Sequence, residues 1–354
     1  MPLNPLTRKR LQRFRSMKRG YWSLILLVLL VVLALLAELW VNGRALIVRY
    51  EGKTYFPTYG SIIPGETFGE NYKYETNYRA LQERFAKEGK DGNWVLMPLI
   101  PWGPQDSDFR EGIQHPQPPE SERHHWLGTD PTGRDVLARM VYGFRNVILF
   151  SLSYTALTFL AAIVIGCLMG YMGGTVDLIG QRIVEIWTNI PFLYIVMIGI
   201  SLVPADTGTG SRIAILLLIM VIFDWTGKAW FLRTATLKEK ARDYVASARL
   251  AGAGPMRLIF RHILPNTISI LVTFLPFTVA GGITALTALD FLNFGLPRPT
   301  ASWGEMLEIG LANQDAHWIV LSAFGGLVTV LLLVTFVGEA VREAYDPRKF
   351  TTYR

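Results

Sequence analysis

Residues 21–40 read YWSLILLVLLVVLALLAELW, and residues 24–37 within them are unbroken leucine, isoleucine, valine and alanine. A helix rises about 1.5 Å per residue, so a run of this length reaches across the ~30 Å hydrocarbon core of a bilayer. A soluble fold buries apolar surface too, but not as one continuous stretch. The run follows a basic segment, as the core of a secretory signal does. It is longer than such a core, however, and it ends in Glu38-Leu39-Trp40 rather than the small residues of a cleavage site. It is therefore read as a retained membrane anchor.

Working outward, five more apolar runs fit the same description: Val147–Met169, Ile186–Val203, Ile213–Phe231, Ile268–Leu289 and Trp318–Val337. The composition agrees, with 51% hydrophobic and 18% charged residues, where a soluble domain carries about 25% charged. Backbone groups in lipid have no water to bond, so a span is a helix or part of a closed barrel. Continuous runs favour helices, because barrel strands alternate in short segments. The expected fold class is an all-α integral membrane protein with six transmembrane helices. The expected organisation is a basic tail (1–20), the first span (21–41), a long external segment (42–146), a five-helix core (147–340) holding an internal loop at 232–266, and a C-terminal tail (341–354).

Orientation follows from lysine and arginine beside the spans. Arg8, Lys9, Arg10, Arg13, Arg15, Lys18 and Arg19 precede the first span with no acid among them. The loop after the fourth span is also basic, and Arg342, Arg348 and Lys349 follow the sixth. The connection at 290–317 has Arg298 alone. Six crossings place all three basic flanks on one side, with both termini cytoplasmic. The net charge of +7 thus belongs to membrane flanks and not to a nucleic-acid surface. In the segment 42–146, Ile47–Tyr50 and Thr54–Phe56 flank the turn-like Glu51-Gly52-Lys53, which predicts a small hairpin. Pro98, Pro101, Pro104, Pro116, Pro118 and Pro119 predict an irregular path beyond it. No internal repeat is visible.

Several chemistries find no support. Cys167, the single cysteine, lies inside an apolar run and is read as a small hydrophobe. His124 and His125 point to opposite faces if extended, and no spacing with His115 completes a metal site. Gly52-Lys53-Thr54 and Gly227-Lys228 lack the earlier glycine of a phosphate-cradling loop, since Ile47 and Ile222 stand there. The chain is not expected to hydrolyse ATP or bind a cofactor of its own.

The internal loop carries the most information. Asp243-Tyr244-Val245-Ala246-Ser247-Ala248-Arg249-Leu250-Ala251-Gly252-Ala253-Gly254-Pro255 reads as a helix stopped by glycine, and Met256–His262 as a second basic helix. Gly252 or Gly254 can supply a left-handed stop, Pro255 suits a first helical turn, and Pro265 ends the second helix before the fifth span. Ala246, Ala248 and Ala251 give the first helix a small-residue face. On these grounds alone, an ordinary solvated loop and a docking element are equally good readings.

The same residues resemble the conserved loop of bacterial binding-protein-dependent ABC importer permeases. That loop carries Glu-Ala-Ala, then a glycine, then Ile-x-Leu-Pro. Here Ala246-Ser247-Ala248, Gly252 and Leu264-Pro265 fall at the matching positions, while the glutamate is absent and His262 replaces the isoleucine. A second likeness is independent. His125-Trp126-Leu127-Gly128-Thr129-Asp130, Gly133-Arg134-Asp135-Val136, Phe291-Leu292-Asn293-Phe294-Gly295-Leu296 and Asp346-Pro347 resemble the dipeptide, oligopeptide and nickel permeases. Arg49-Tyr50-Glu51-Gly52 and Tyr55-Phe56-Pro57 resemble the Yej-type branch, importers of microcin C and oligopeptides. The resemblance implies the type I importer permease fold. It also implies three partners: a second permease subunit, an ATPase subunit that binds ATP and magnesium, and a periplasmic peptide-binding protein. Tyr244, Ala246, Ser247, Ala248, Gly252, Gly254, Met256, Leu264 and Pro265 are then expected to form the coupling loop toward the ATPase.

Inside the spans, Asp224 and Lys228 share a helix face and can pair, or can line a path. Pro276 and Gly281-Gly282 interrupt the fifth span, which suits either a path-lining break or close packing. Two other readings of the whole chain stay open: a permease of the same architecture for nickel or another small ligand, and a membrane enzyme with an external site.

Overall fold

The computed structural model describes residues 5–89, 92–108 and 112–346. In chain order the helices and strands are α1 (Pro5–Ser16), α2 (Lys18–Leu35), α3 (Ala37–Trp40), β1 (Ile47–Tyr50), β2 (Lys53–Tyr55), α4 (Tyr78–Glu88) and β3 (Trp94–Leu96). Then come α5 (Val136–Met172), α6 (Gly174–Thr188), α7 (Phe192–Ser201), α8 (Thr209–Asp224), α9 (Thr226–Lys240), α10 (Asp243–Leu250), α11 (Pro255–Arg257), α12 (Leu264–Phe291), α13 (Trp303–Ala312) and α14 (His317–Tyr345). Pro347, Arg348 and Lys349, used above for orientation and likeness, lie outside the described residues.

Four segments are long and apolar enough to cross a membrane unaided: Lys18–Leu35, Val136–Met172, Pro255–Phe291 and His317–Tyr345. The other two are bent pairs, α6 with α7 at 80° and α8 with α9 at 47°, which bring the spans to six. The expected third span, 186–203, therefore straddles a break. Pro191 is the N-cap of α7 and has no N–H to continue a helix. The expected fourth span, 213–231, is bent at Trp225. The helix that carries the expected second span begins ahead of it, at Val136, because Asp135 accepts the Ala138 N–H at 2.6 Å and starts the helix early.

The chain divides into two compact units. One comprises Met1–Leu27, Ile148–Pro297 and Thr329–Arg354. Its core joins Phe159, Ala162 and Met169 of α5 to Val184 of α6, Ala229 and Leu232 of α9, and Leu271 of α12. Glycine sets the α5–α9 approach. A Cβ on Gly166 would lie 2.5 Å from the Ala229 carbonyl, and one on Gly170 2.5 Å from that of Arg233. Cys167 sits buried between them, 3.5 Å from the Thr236 hydroxyl. Arg233 of α9 also pairs with Asp177 of α6, its Nη2 donating at 2.6 Å. The basic tail is itself helical, with Phe14 buried against Ala340 and Ala344 of α14.

The other unit comprises Val28–Val147 and Arg298–Val328. The predicted hairpin is present. β1 pairs antiparallel with β2 through Val48↔Tyr55, and Glu51 and Gly52 both take positive φ, as a tight hairpin turn needs. What the sequence reading lacked is the rest: β3 joins the other edge of β1, and α4 packs Leu81 and Phe85 against the sheet with Val48, Phe68 and Tyr78. Asn77 caps α4 by accepting the Ala80 N–H, and Gly89 ends it at φ 59°. The connection at 290–317 holds a helix, α13. Its Ser302 cap accepts N–H groups from Gly304 and Glu305. Ser302 to Glu305 has the spacing of a capping box, the signal that marks this helix in the sequence.

Candidate functional site

The loop at 232–266 is built in four steps. Helix α9 runs out to Lys240, α10 follows, a turn at 251–254 reverses direction, and α11 passes through a π-helical turn (Leu258–Ile263) into α12. Gly252 makes the turn at φ 82°. Its N–H donates to Arg249 O, and the Ala253 N–H donates to Ala248 O, both at 3.0 Å. This pairing is the Schellman motif, which satisfies the last carbonyls of a helix. A Cβ on Gly252 or on Gly254 would meet nothing within 4 Å. Gly252 is needed for its left-handed backbone and not for space. Pro255 takes the first turn of α11, as expected. Pro265 does not end the second helix. It lies in the first turn of α12, directly after the π-helical turn, and the helix continues through it.

Beneath the loop, Val245, Leu258 and Ile263 are buried together, with Tyr171, Ala248 and Ala253 packed around them. Of the small-residue face, Ala248 is half-buried against this cluster, while Ala246 and Ala251 are exposed. The outward surface holds Ala246, Ser247, Ala251, Gly252, Gly254 and Pro265. Two large apolar side chains stand out on it, Leu250 at 91% exposure and Met256 at 60%. Leu264 is half-buried. Tyr244 ties the pieces together. Its hydroxyl donates to Glu239 Oε2 at 2.7 Å and accepts from Asn266 Nδ2 at 3.0 Å. One phenol therefore links the end of α9, the start of α10 and the start of α12. Burial, and then the Glu239 carboxylate, push this phenol above its usual range, so it stays protonated as a donor. Glu239, Asn266 and Leu250 escaped the sequence reading because their roles depend on the turn.

In the spans, Lys228 Nζ lies 2.5 Å from Asp224 Oδ2, across one turn at the α8–α9 bend. The sequence reading missed Tyr154, whose hydroxyl donates to the same Asp224 oxygen. Asp224, Tyr154 and Gly281 line a cavity of about 550 Å³. Pro276 and Gly282 do not. Helix α12 is continuous through all three positions. Pro276 is buried, and a Cβ on Gly338 of α14 would lie 3.2 Å from its ring. Gly282 lies against α5, where an added Cβ would come 2.9 Å from the Tyr154 ring. Of the expected helix-breaking set, the structure brings only Gly281 to Asp224.

His125 and His115 serve local structure. His125 Nδ1 bonds Asp135 Oδ2 at 2.8 Å, with its ring stacked on Trp102. His115 bonds Thr129 and the Asp108 carbonyl. Asp130 closes the next turn by accepting from the Thr132 and Arg134 N–H groups. The segment 125–136 that carries the family likeness is thus the folded lead-in to α5.

The architecture is that of a multi-span membrane protein in which the loop at 232–266 is tied back to two spans. Comparison with known proteins is specific. The model of the binding-protein-dependent transport system inner membrane component matches residues 162–351. The inner membrane ABC transporter permease protein YejE of Escherichia coli is 39% identical over 348 residues, covering 98% of each chain. The peptidoglycan transport system permease protein YejE of Agrobacterium fabrum is 37% identical over 98% of this chain and 94% of its own. The oligopeptide transport system permease protein OppC of Mycobacterium bovis is 31% identical over 72% of this chain and 84% of its own. The chain belongs to the binding-protein-dependent transport system inner membrane component family, the permeases of ABC transporters.

Proposed function

We propose that this chain is one of two permease subunits of an ATP-driven peptide importer in a bacterial inner membrane. Relatives named for oligopeptide and peptidoglycan transport support cargo with a peptide part, and microcin C-like peptides fall in that class. The second permease completes the path, a periplasmic binding protein delivers the cargo, and a separate ATPase subunit binds ATP and magnesium. The chain itself performs no chemistry. Both termini are cytoplasmic, and 42–146 lies in the periplasm.

One observation carries the coupling role. The α10–α11 turn presents exposed Leu250 and Met256 on a scaffold fixed from below by Val245, Leu258 and Ile263 and from the side by Tyr244. An apolar helix end held this way suits a groove on a partner. Tyr244, Ala246, Ser247, Gly252, Gly254 and Met256 form or flank that contact. Ala248, Leu264 and Pro265 support it. The Gly252→Glu variant adds a charge at the turn and strains it. The expected result is normal membrane abundance with loss of peptide uptake and loss of the co-purified ATPase. Normal uptake at normal abundance refutes the coupling role.

A further inference from the structure

The cavity at the α8–α9 bend contains a chemistry that ATPase coupling does not use. Asp224 is one of the few carboxylates within the spans, and 36% of its side chain is exposed. A half-exposed carboxylate is not stable against hydrocarbon, so this face turns to a water-filled path or to another polypeptide. Around it stand the rings of Tyr154, Phe192, Phe231, Phe274 and Phe277. Phe231 and Phe274 lie 4.8 Å apart, centroid to centroid. A carboxylate set among aromatic faces recognises ammonium groups, through charge and through the ring quadrupoles together. An ammonium is already there. Lys228 Nζ contacts Asp224 Oδ2 at 2.5 Å and the Asp224 carbonyl at 3.2 Å.

We propose that this cavity is a transient station for the ammonium group of the cargo, which takes the place of Lys228 on Asp224 during passage. The inference rests on the peptide-import reading. Lys228 keeps the carboxylate paired when no cargo is present, which avoids the large cost of a lone charge within the membrane. Lys228 also competes for Asp224, so the cargo is held weakly and leaves again, as conduction requires. Tyr154 donates to Asp224 in either state and fixes the carboxylate's orientation.

The test uses the complex of this chain with its partner permease and ATPase in lipid nanodiscs. Phe277→p-benzoylphenylalanine supplies a photo-cross-linker in the cavity wall. Three C-terminally biotinylated tetrapeptides are compared: free at the N-terminus, N-acetylated, and N-acetylated with one lysine. The free peptide is expected to cross-link about tenfold better than the acetylated one, the equivalent of one charge-assisted contact. Asp224→Asn removes this preference and Asp224→Glu retains it. Cross-linking of the acetylated lysine peptide at the level of the free one assigns the station to any primary ammonium. Failure to do so assigns it to the N-terminus. Equal cross-linking of all three peptides, no cross-linking, or a preference that survives Asp224→Asn overturns the proposal. Should Asp224→Asn not assemble, Lys228→Met serves instead: removal of the competitor raises cross-linking of the free peptide, and an unchanged or lower yield overturns the proposal. Uptake of the free peptide by the binding-protein-supplied importer is read in parallel. Absence of uptake overturns peptide import itself, whereas uptake without an ammonium preference overturns the station alone.

Discussion

Replacement of Tyr244 by phenylalanine isolates the tether between loop and spans, because it deletes one hydroxyl and leaves the ring. Two bonds are lost, to Glu239 at 2.7 Å and from Asn266 at 3.0 Å. A hydrogen bond to a charged acceptor contributes about 1.5–3 kcal/mol and a neutral one about 0.5–1.5. Both lie at an exposed surface where water takes over part of each, so the net loss is about 1–2 kcal/mol. That amount raises the opening constant of α10 by about tenfold. The readout is amide hydrogen exchange in the assembled importer. The Ala251 N–H, bonded to Ser247 O, and the Ala253 N–H, bonded to Ala248 O, report the opening directly. Both are expected to exchange about tenfold faster in Tyr244→Phe, and Asn266→Ala should add little to it because both act through the same phenol. Unchanged protection at Ala251 and Ala253 refutes the tether. In the same variant, ATP turnover continues while peptide uptake per ATP falls.

Three further outcomes follow from the packing. Gly252→Ala is expected to destabilise the loop by about 1–2 kcal/mol through left-handed strain alone, since the added methyl meets nothing. Its partner binding should stay close to wild type, in contrast to Gly252→Glu, and assembly measured by co-purification checks this. Glu305→Gln leaves the fully buried Arg139 guanidinium without its carboxylate. The expected cost is about 3–5 kcal/mol, read as a lowered melting temperature in detergent, and Arg139→Met/Glu305→Leu should recover much of it. Burial, and then Glu75, raise the Tyr78 phenol from 10.0 to about 12. A raised phenol holds its proton in the folded state after the unfolded chain has lost it. Its stabilisation is therefore full below about pH 10 and is lost as pH climbs through about 12. Tyr78→Phe should flatten the stability profile over that window in denaturation monitored by fluorescence.

The membrane class was legible because the apolar runs at 24–37 and 268–289 have no soluble explanation. The bends were not. Ile186–Val203 reads as one apolar run, but hydropathy is blind to the missing N–H of Pro191, which decides where the helix stops. Pro276 carries the opposite lesson. A proline inside an apolar run signals a break, yet α12 is continuous through Pro276, which is buried beside Gly338 of α14. Gly252 was readable as a stop because the left-handed backbone is a local demand of the chain. The half-burial of Ala248 was not, because it depends on Leu258 and Ile263 arriving from beyond the turn. Tyr154 was invisible for the same reason: 70 residues separate it from Asp224, and only folding makes them neighbours.

Helix α9 joins the two candidate sites, and its length sets what one can do to the other. Its first turn carries Gly227 and Lys228 in the cavity wall, and its last carries Glu239 under Tyr244. Fifteen residues make a rod of about 22 Å. The helix is not free to bend midway, because Gly166 and Gly170 seat it on α5 at Ala229 and Arg233, and Asp177 holds Arg233 from α6. The bend at Trp225 is the place where direction already changes. A tilt of about 10° there swings the Glu239 end by about 4 Å on a rod of that length. Read in reverse, a partner that moves α10 by a few ångströms rotates the Lys228 end only slightly. On the proposed station, such a rotation shifts the balance between Lys228 and a cargo ammonium for Asp224, because the ion pair loses strength with separation and water competes for each partner. A strong contact at the loop is thereby geared down to a fine adjustment at the cavity, which is what a path that must bind and then release its cargo requires.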